Sequence, residues 1–160
     1  MAKYPGKVIE PAYETDATGV KWEVRDLLGA TLRYNAQLRR CSIDCADAID
    51  KLLKKERLQD VKPVTSPCDS RDDTSEDNIL DPDYPIQSVV GSLQYLAMVC
   101  RPDICHAVQR VARETTKCTR GTVKRVKRVM RYLKGTRQRG LEYSPENEEQ
   151  FRETYGKVSV

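Results

Sequence analysis

Residues 123–140, VKRVKRVMRYLKGTRQRG, carry eight lysines and arginines and no carboxylate. The bias extends further, because ten basic residues and no acid lie between Lys117 and Arg139. Solvated helix faces usually mix charges of both signs, whereas unopposed cations repel one another unless an anion is near. Phosphate backbone is the natural anion, so this pattern favours nucleic-acid binding. The alternative is a solvated face on an ordinary helix.

Cysteine and histidine do not have the spacing of a metal site. The closest pairs are Cys41 with Cys45 and Cys100 with Cys105, there is no CxxC, and His106 is the only histidine. Adjacent helical residues point in different directions, so Cys105 and His106 do not form a nucleophile and its base. We therefore expect reduced thiols in an intracellular protein, cytoplasmic or nuclear, with no metal and no small-molecule substrate.

Three helices are predicted to position the basic residues. Apolar residues recur at helical spacing over 84–100, with Asp83 as the cap, and a second helix begins at Pro102. The third helix begins near Thr119 and ends by Gly135. It has an apolar edge that packs on the other two helices, and its remaining surface carries the cations.

The front of the chain has a different pattern. KWEVRDLL and ATLRYNAQLRRCSID alternate apolar with polar residues, which predicts a hairpin turning near Gly29. Asp44 caps a following helix that ends before Pro63. Residues 62–83 are rich in Pro, Ser and Asp, and the seven acids between Asp69 and Asp83 make them an acidic linker.

The predicted fold class is α+β. A short N-terminal β-hairpin and a helix (21–61) precede the acidic linker (62–83), and a three-helix bundle (84–135) leads into a short strand and tail (136–160). Residues 1–20 are predicted to be loop or disordered. The chain has 160 residues, 39% of them hydrophobic, which is enough for one domain with a thin core. No apolar run reaches the roughly 18 residues of a membrane span, so no membrane partner is expected.

The sequence resembles the segment after the reverse transcriptase palm in copia-type LTR retrotransposon Pol polyproteins. YPIQSVVGSLQYLAMVCRPDICHAVQRVARE and KRVKRVMRYLKGTRQRGLEYS follow the family pattern YxxxVGSLxYL, TRPDI, AxKRxLRYLKGTxxxGLxY in order. The match covers about residues 84–144. Upstream, IDKLLKKERLQDVKPVTSPCD is similar to the family's helix and Pro-rich passage. The resemblance implies that 84–135 is the polymerase thumb and connection, and that GLEY marks the edge of an RNase H domain.

The resemblance also implies a binding site. VGSLQYLA is similar to VGKLNWAS of lentiviral reverse transcriptases, which places Gly91, Gln94 and Tyr95 along the minor groove of a duplex. A glycine inside a helix costs about 1 kcal/mol relative to alanine, so it needs a reason such as close approach of another backbone. The alternative is that Gly91 lets two helices pack closely. The phosphate-binding cations of the third helix would be Lys124, Arg125, Lys127, Arg128, Arg131 and Lys134.

The sequence departs from the family at both catalytic centres. Nucleotidyl transfer needs metal-binding carboxylates beside an apolar strand. The only paired aspartates, Asp72 and Asp73 in SRDDTSED, have no apolar strand beside them, and we expect them not to be catalytic. After GLEY the chain reads SPENEEQFRETYGKVSV in place of an RNase H aspartate motif. No catalytic residue is predicted, and the magnesium of the parent polymerase would bind outside this chain.

The preferred hypothesis is a non-catalytic fragment of a Pol polyprotein that grips a primer–template duplex. Its partners would be an RNA–DNA or DNA duplex and the rest of the polyprotein, whose parent is an RNA-directed DNA polymerase with RNase H. The alternative is a domesticated, free-standing module that binds proteins through its helices. A titration against salt separates the two, because only phosphate binding weakens steeply with salt.

Overall fold

The computed structural model describes residues 10–69 and 78–156, which adopt the predicted α+β fold. One antiparallel sheet contains strands β1 (Ala12–Thr15), β2 (Lys21–Leu27), β3 (Ala30–Asn35), β4 (Arg40–Asp44) and β5 (Leu141–Tyr143), in that spatial order. The helices of the described residues are α1 (Ala46–Lys55), α2 (Ile86–Val99), α3 (Cys105–Ala112), α4 (Arg120–Gly135) and α5 (Pro145–Tyr155). Helices α1 to α4 therefore lie between two neighbouring strands, β4 and β5.

The predicted hairpin corresponds to strands β2 and β3. Leu27 pairs with Ala30, so Leu28 and Gly29 form a two-residue turn. Both have positive φ, 59° and 94°, as a turn that follows the twist of the strands requires. Asp26 stabilises the turn, since its Oδ1 accepts a hydrogen bond from the backbone amide of Gly29 at 3.1 Å.

The sheet is larger than the predicted hairpin. Ala12–Thr15 forms β1 where loop is predicted, and all four residues are exposed. This strand pairs with β2, and it has no apolar alternation by which its sequence could be recognised. Residues 1–9 of the predicted disordered segment lie outside the described residues.

The C-terminal segment contains the predicted strand and also a helix that is not predicted. Strand β5 pairs with β4, with Ile43 opposite Leu141. A side chain at Gly140 would collide with the carbonyl oxygen of Ile43, so glycine is needed where the chain enters the sheet. Helix α5 then begins after Ser144, whose Oγ accepts a hydrogen bond from the Asn147 amide at 3.2 Å.

The helix starts differ in detail from the predictions. Cys45, not Asp44, is the N-cap residue of α1, although Asp44 Oδ1 still accepts the Ala46 amide at 3.0 Å. Helix α2 begins at Ile86 after Pro85, and Asp83 does not cap it. The start of α4 agrees with the prediction, because Thr119 caps it through a reciprocal pair of hydrogen bonds with Thr122.

A single apolar core joins the sheet to the helices. It contains Ala30 and Cys45 from the sheet side together with buried residues of α1 to α4. The predicted linker therefore lies between two parts that share this core. The boundaries given for the separate parts remain predictions, and residues 70–77 lie outside the described residues.

A buried arginine ties the end of α2 to the end of α4. Arg101, which is 1% exposed, forms a two-pronged ion pair with Asp103. Its guanidinium also donates to the carbonyl oxygen of Thr136 at 3.0 Å and to the Thr136 hydroxyl at 2.6 Å. The Tyr132 hydroxyl donates to Asp103 at 2.8 Å. This network fixes how the end of α4 packs against the junction between α2 and α3.

Candidate nucleic-acid interface

Gly91 and Gln94 lie on the exposed side of α2, and Tyr95 beside them is half-buried. A Cβ atom added to Gly91 would meet no atom of the described residues within 4 Å. The alternative explanation, that Gly91 allows two helices to pack closely, is therefore wrong. Among residues 10–69 and 78–156, nothing fills the space above Gly91.

Tyr95 connects this side of α2 to the β2–β3 turn. Its hydroxyl donates a hydrogen bond to the carbonyl oxygen of Leu28 at 2.7 Å. Burial raises the pKa of Tyr95, so the phenol remains a neutral donor at physiological pH. Leu28 is unusual because its side chain is 93% exposed while its φ is 59°. Bulky residues seldom adopt this conformation, and such outliers often occur at functional positions.

Two lysines of α1 border the same side of α2. A groove of about 540 Å³ runs between the two helices, and we call it the α1–α2 groove. Its lining includes Lys51, Lys55, Ser88, Gly91, Ser92 and Tyr95. Lys55 spans the groove, because its Nζ donates to Ser88 Oγ at 2.9 Å.

The groove combines the groups that duplex binding uses. Lys51 and Lys55 are exposed cations, which neutralise phosphates. Serine hydroxyls form hydrogen bonds with sugar and phosphate oxygens, and the open backbone at Gly91 permits close approach. These lysines are not among the site residues predicted from the sequence. Their helical spacing was visible, but their role depends on the packing of α1 against α2.

The six predicted cations of α4 have different environments. Arg125 is only 8% exposed, and its Nη2 lies 2.6 Å from Glu114 Oε2. Glu114 also accepts a hydrogen bond from the Thr122 hydroxyl at 2.8 Å. Arg125 is thus held in an internal ion pair with the segment between α3 and α4.

Three further cations of α4 bind the segment that precedes residue 70. Arg131 Nε donates to the carbonyl oxygen of Lys62 at 2.7 Å, and Lys134 Nζ donates to that of Val61 at 2.8 Å. Arg128 pairs with Asp69, with 3.3 Å between Nη1 and Oδ2. The inference that the cations of α4 lack counter-charges is therefore wrong for Arg125 and Arg128, which pair with Glu114 and Asp69. Arg131 and Lys134 bind neutral carbonyl groups instead.

Lys124 and Lys127 are exposed. Together with the exposed Arg120 they recur at helical spacing and form one stripe along α4. Their predicted contact with phosphate remains a prediction.

The cysteines and the histidine are the remaining candidates within the described residues. All six cysteines carry free thiols, and Cys68 Sγ lies 3.8 Å from His106 Nδ1. Within residues 10–69 and 78–156, no three His, Cys, Asp or Glu side chains cluster to hold a metal ion. Asp72 and Asp73 lie outside the described residues.

In the part of the chain that the structure describes, no helix is both long and apolar enough to cross a membrane.

Comparison with known proteins gives relatives but no matching family model and no matching solved structure. The chain is 36% identical over 93 residues to an uncharacterized mitochondrial protein of Arabidopsis thaliana, AtMg00810, covering 58% of the chain and 38% of that protein. It is 37% identical over 93 residues to the retrovirus-related Pol polyprotein from transposon RE1 of the same plant, covering 56% of the chain and 6% of that protein.

A third relative matches over a longer stretch than these two. The retrovirus-related Pol polyprotein from transposon TNT 1-94 of Nicotiana tabacum is 31% identical over 121 residues, covering 70% of the chain and 9% of that protein. The chain thus spans well under half the length of each of these curated relatives. The resemblance found in the sequence is confirmed, because the chain is 31–37% identical to retrovirus-related Pol polyproteins of transposons over 93 to 121 residues.

Proposed function

We propose that this chain is a non-catalytic segment of a copia-type reverse transcriptase polyprotein that binds a primer–template duplex. The segment corresponds to the thumb and connection, and the parent protein is an RNA-directed DNA polymerase with RNase H. The α1–α2 groove is the binding surface. One observation carries the proposal: Gly91 faces open space beside two exposed lysines, Lys51 and Lys55.

The groove supports a duplex better than a small molecule. Its polar side chains carry hydroxyl and ammonium groups, which fit a sugar–phosphate backbone. A-form and hybrid duplexes present a shallow minor groove, which a glycine-bearing helix face can approach. Contacts of this kind position a duplex without reading its sequence. Tyr95 holds the hairpin tip beside the groove, so Leu28 extends the same surface.

The exposed stripe of α4 supplies a second set of cations in this proposal. Lys124 and Lys127 would neutralise phosphates, while Arg125, Arg128, Arg131 and Lys134 mainly hold α4 in place. Charge reversal at Lys124 and Lys127 should therefore weaken binding, and the same change at Arg125 should affect mainly stability.

A bulky substitution at Gly91 tests the proposal. We expect Gly91→Leu to weaken binding of a fluorescein-labelled RNA–DNA hybrid about tenfold, measured by anisotropy, because the leucine fills space that the duplex occupies. Gln87→Leu is the matched control, since Gln87 is exposed on the same helix but does not line the groove. Circular dichroism checks that both variants remain folded. Equal hybrid affinity for both variants and the native chain would contradict the proposal.

A further inference from the structure

The C-terminal helix presents unburied aromatic side chains. Phe151 is 63% exposed and Tyr155 is 58% exposed, and their ring centroids lie 4.9 Å apart. None of the described side chains of α5 is buried. Tyr143, on the strand just before α5, is 57% exposed. Apolar groups of this size are normally covered, so this end of the molecule is a candidate interaction surface.

The sheet continues the aromatic surface. Opposed residues of antiparallel strands share a face, and the pairing aligns Tyr13, Glu23, Tyr34, Cys41 and Tyr143 in one row across the sheet. Tyr13 and Tyr34 are 58% and 43% exposed. We define the aromatic ledge as Tyr13, Tyr34, Tyr143, Phe151 and Tyr155.

A pocket joins the two halves of the ledge. It has a volume of about 430 Å³, and Tyr143 lines it from the sheet while Phe151 lines it from α5. Arg39 and Glu148 form part of its wall and lie 3.5 Å apart, from Nη2 to Oε2. The pocket can receive one side chain of a partner, and the tyrosine row offers flat contact area beside it.

Charge identifies the class of partner. Residues 141–155 contain five glutamates and one arginine. Glu146 pairs with Arg40, and Glu148 pairs with Arg39 and Arg152, so the net negative charge of this surface comes from the exposed Glu142, Glu149 and Glu153. Glu146 remains ionised over the whole physiological range, because hydrogen bonds from its own backbone amide and from Arg40 lower its pKa to about 2. Phosphates would meet carboxylates here, which disfavours nucleic acid. A basic partner would be attracted instead.

The ledge already contains one contact of the expected kind. Lys21 Nζ lies 4.1 Å from the centroid of the Tyr13 ring, so a tyrosine of this row accepts a cation on its face. Cationic side chains of a partner would meet the other exposed rings in the same way. Their apolar neighbours would contact Phe151 and enter the pocket.

We propose that the aromatic ledge and the acidic helix α5 form a docking surface for a basic polypeptide segment that alternates Lys or Arg with apolar residues. This surface is separate from the α1–α2 groove and carries charge of the opposite sign. The chain would then bind two partners of different chemistry at two places.

The test uses a short fluorescein-labelled peptide of alternating arginine and leucine. Anisotropy should show binding to the native chain and a loss of affinity of about tenfold or more in the Phe151→Ser/Tyr155→Ser double variant. Both positions are exposed, and circular dichroism checks that α5 persists. Glu149→Lys/Glu153→Lys should weaken binding to a similar extent. Lys51→Glu/Lys55→Glu, in the distant groove, should leave peptide affinity unchanged.

Four outcomes would overturn the proposal. The first is an unchanged peptide affinity in the serine variant. The second is equal binding of a peptide that alternates glutamate and leucine. The third is a labelled oligo(dT) strand whose binding depends on Phe151 and Tyr155, which would make the ledge a base-stacking platform. The fourth is self-association, seen by sedimentation and abolished in the serine variant, which would assign the surface to a second copy.

Discussion

Arg125 and Glu114 form an ion pair inside the protein, with 2.6 Å between Nη2 and Oε2. The arginine is 8% exposed and the glutamate side chain 29% exposed. The pair joins α4 to the turn that precedes it. Part of the charge of this strongly basic helix therefore stabilises the fold, while its exposed stripe faces solvent.

Removal of Arg125 should destabilise the protein. Arg125→Ala leaves Glu114 without its main counter-charge, and we expect a loss of about 2 kcal/mol in the free energy of unfolding. Lys127→Ala is the control on the same helix, because its exposed side chain should change stability by no more than about 0.5 kcal/mol. Urea unfolding measures both. Identical midpoints for the two variants would show that the pair does not stabilise the fold.

Gly91→Ala should stabilise the protein. The added methyl group enters open space, and alanine favours a helix over glycine by about 0.5–1 kcal/mol. If Gly91 were retained for close packing, the alanine would destabilise the protein. The measurement is the urea midpoint of the variant against that of the native chain. A destabilised Gly91→Ala variant would mean that another part of the chain covers this position.

Arg101→Lys should destabilise the protein more than a substitution at the surface. Lysine cannot form the bidentate ion pair with Asp103 and also bind Thr136. Because a buried charge then loses partners, we expect the free energy of unfolding to fall by about 3 kcal/mol. For a chain of this size that lowers the melting temperature by about 6–12 °C. The control is Arg113→Lys, at an exposed site, which should have the melting temperature of the native protein. A native melting temperature for Arg101→Lys would contradict the network.

The hydrogen bonds of Asp16 should be detectable in the fluorescence of Trp22, the single tryptophan. The Thr18 hydroxyl and the Trp22 indole donate to this carboxylate and lower its pKa from 3.8 to about 2. Because the folded pKa is depressed, the stabilisation is complete above pH 3.8 and disappears as the pH falls through about 2. Trp22 emission should therefore stay constant through pH 3.8 and change near 2. Asp16→Asn should remove this transition. A midpoint near 3.8 in the native protein would argue against these hydrogen bonds.

Much of the fold could be predicted from local pattern. Helices α2 and α4 follow the 3.6-residue period of their apolar residues, and Thr119 is recognisable as a cap. Helix α5 also had a readable start, since serine, proline and glutamate follow one another from Ser144. Strand β1 had no such signal. Strand β5 depends on pairing with β4, far away in the chain.

The candidate site was only partly predictable. Gly91 is visible in the sequence because glycine is unfavourable inside a helix. Lys51 and Lys55 join it only through the packing of α1 on α2, which no local pattern specifies. On α4 the prediction failed in the opposite way, because the density of positive charge suggested cations without counter-charges. Glu114 reaches Arg125 across a turn, so sequence spacing along the helix did not reveal the pair.

The most direct test of the account is the salt dependence of hybrid-duplex binding in a charge-reversed groove. Lys51→Glu/Lys55→Glu should bind more weakly than the native chain, and its log–log slope against salt should be shallower by about 0.9 for each phosphate that the variant no longer neutralises. Lys21→Glu/Arg39→Glu changes the net charge equally at the far end of the sheet and should keep the native slope. If the two double variants show the same slope and affinity, the α1–α2 groove does not bind the duplex.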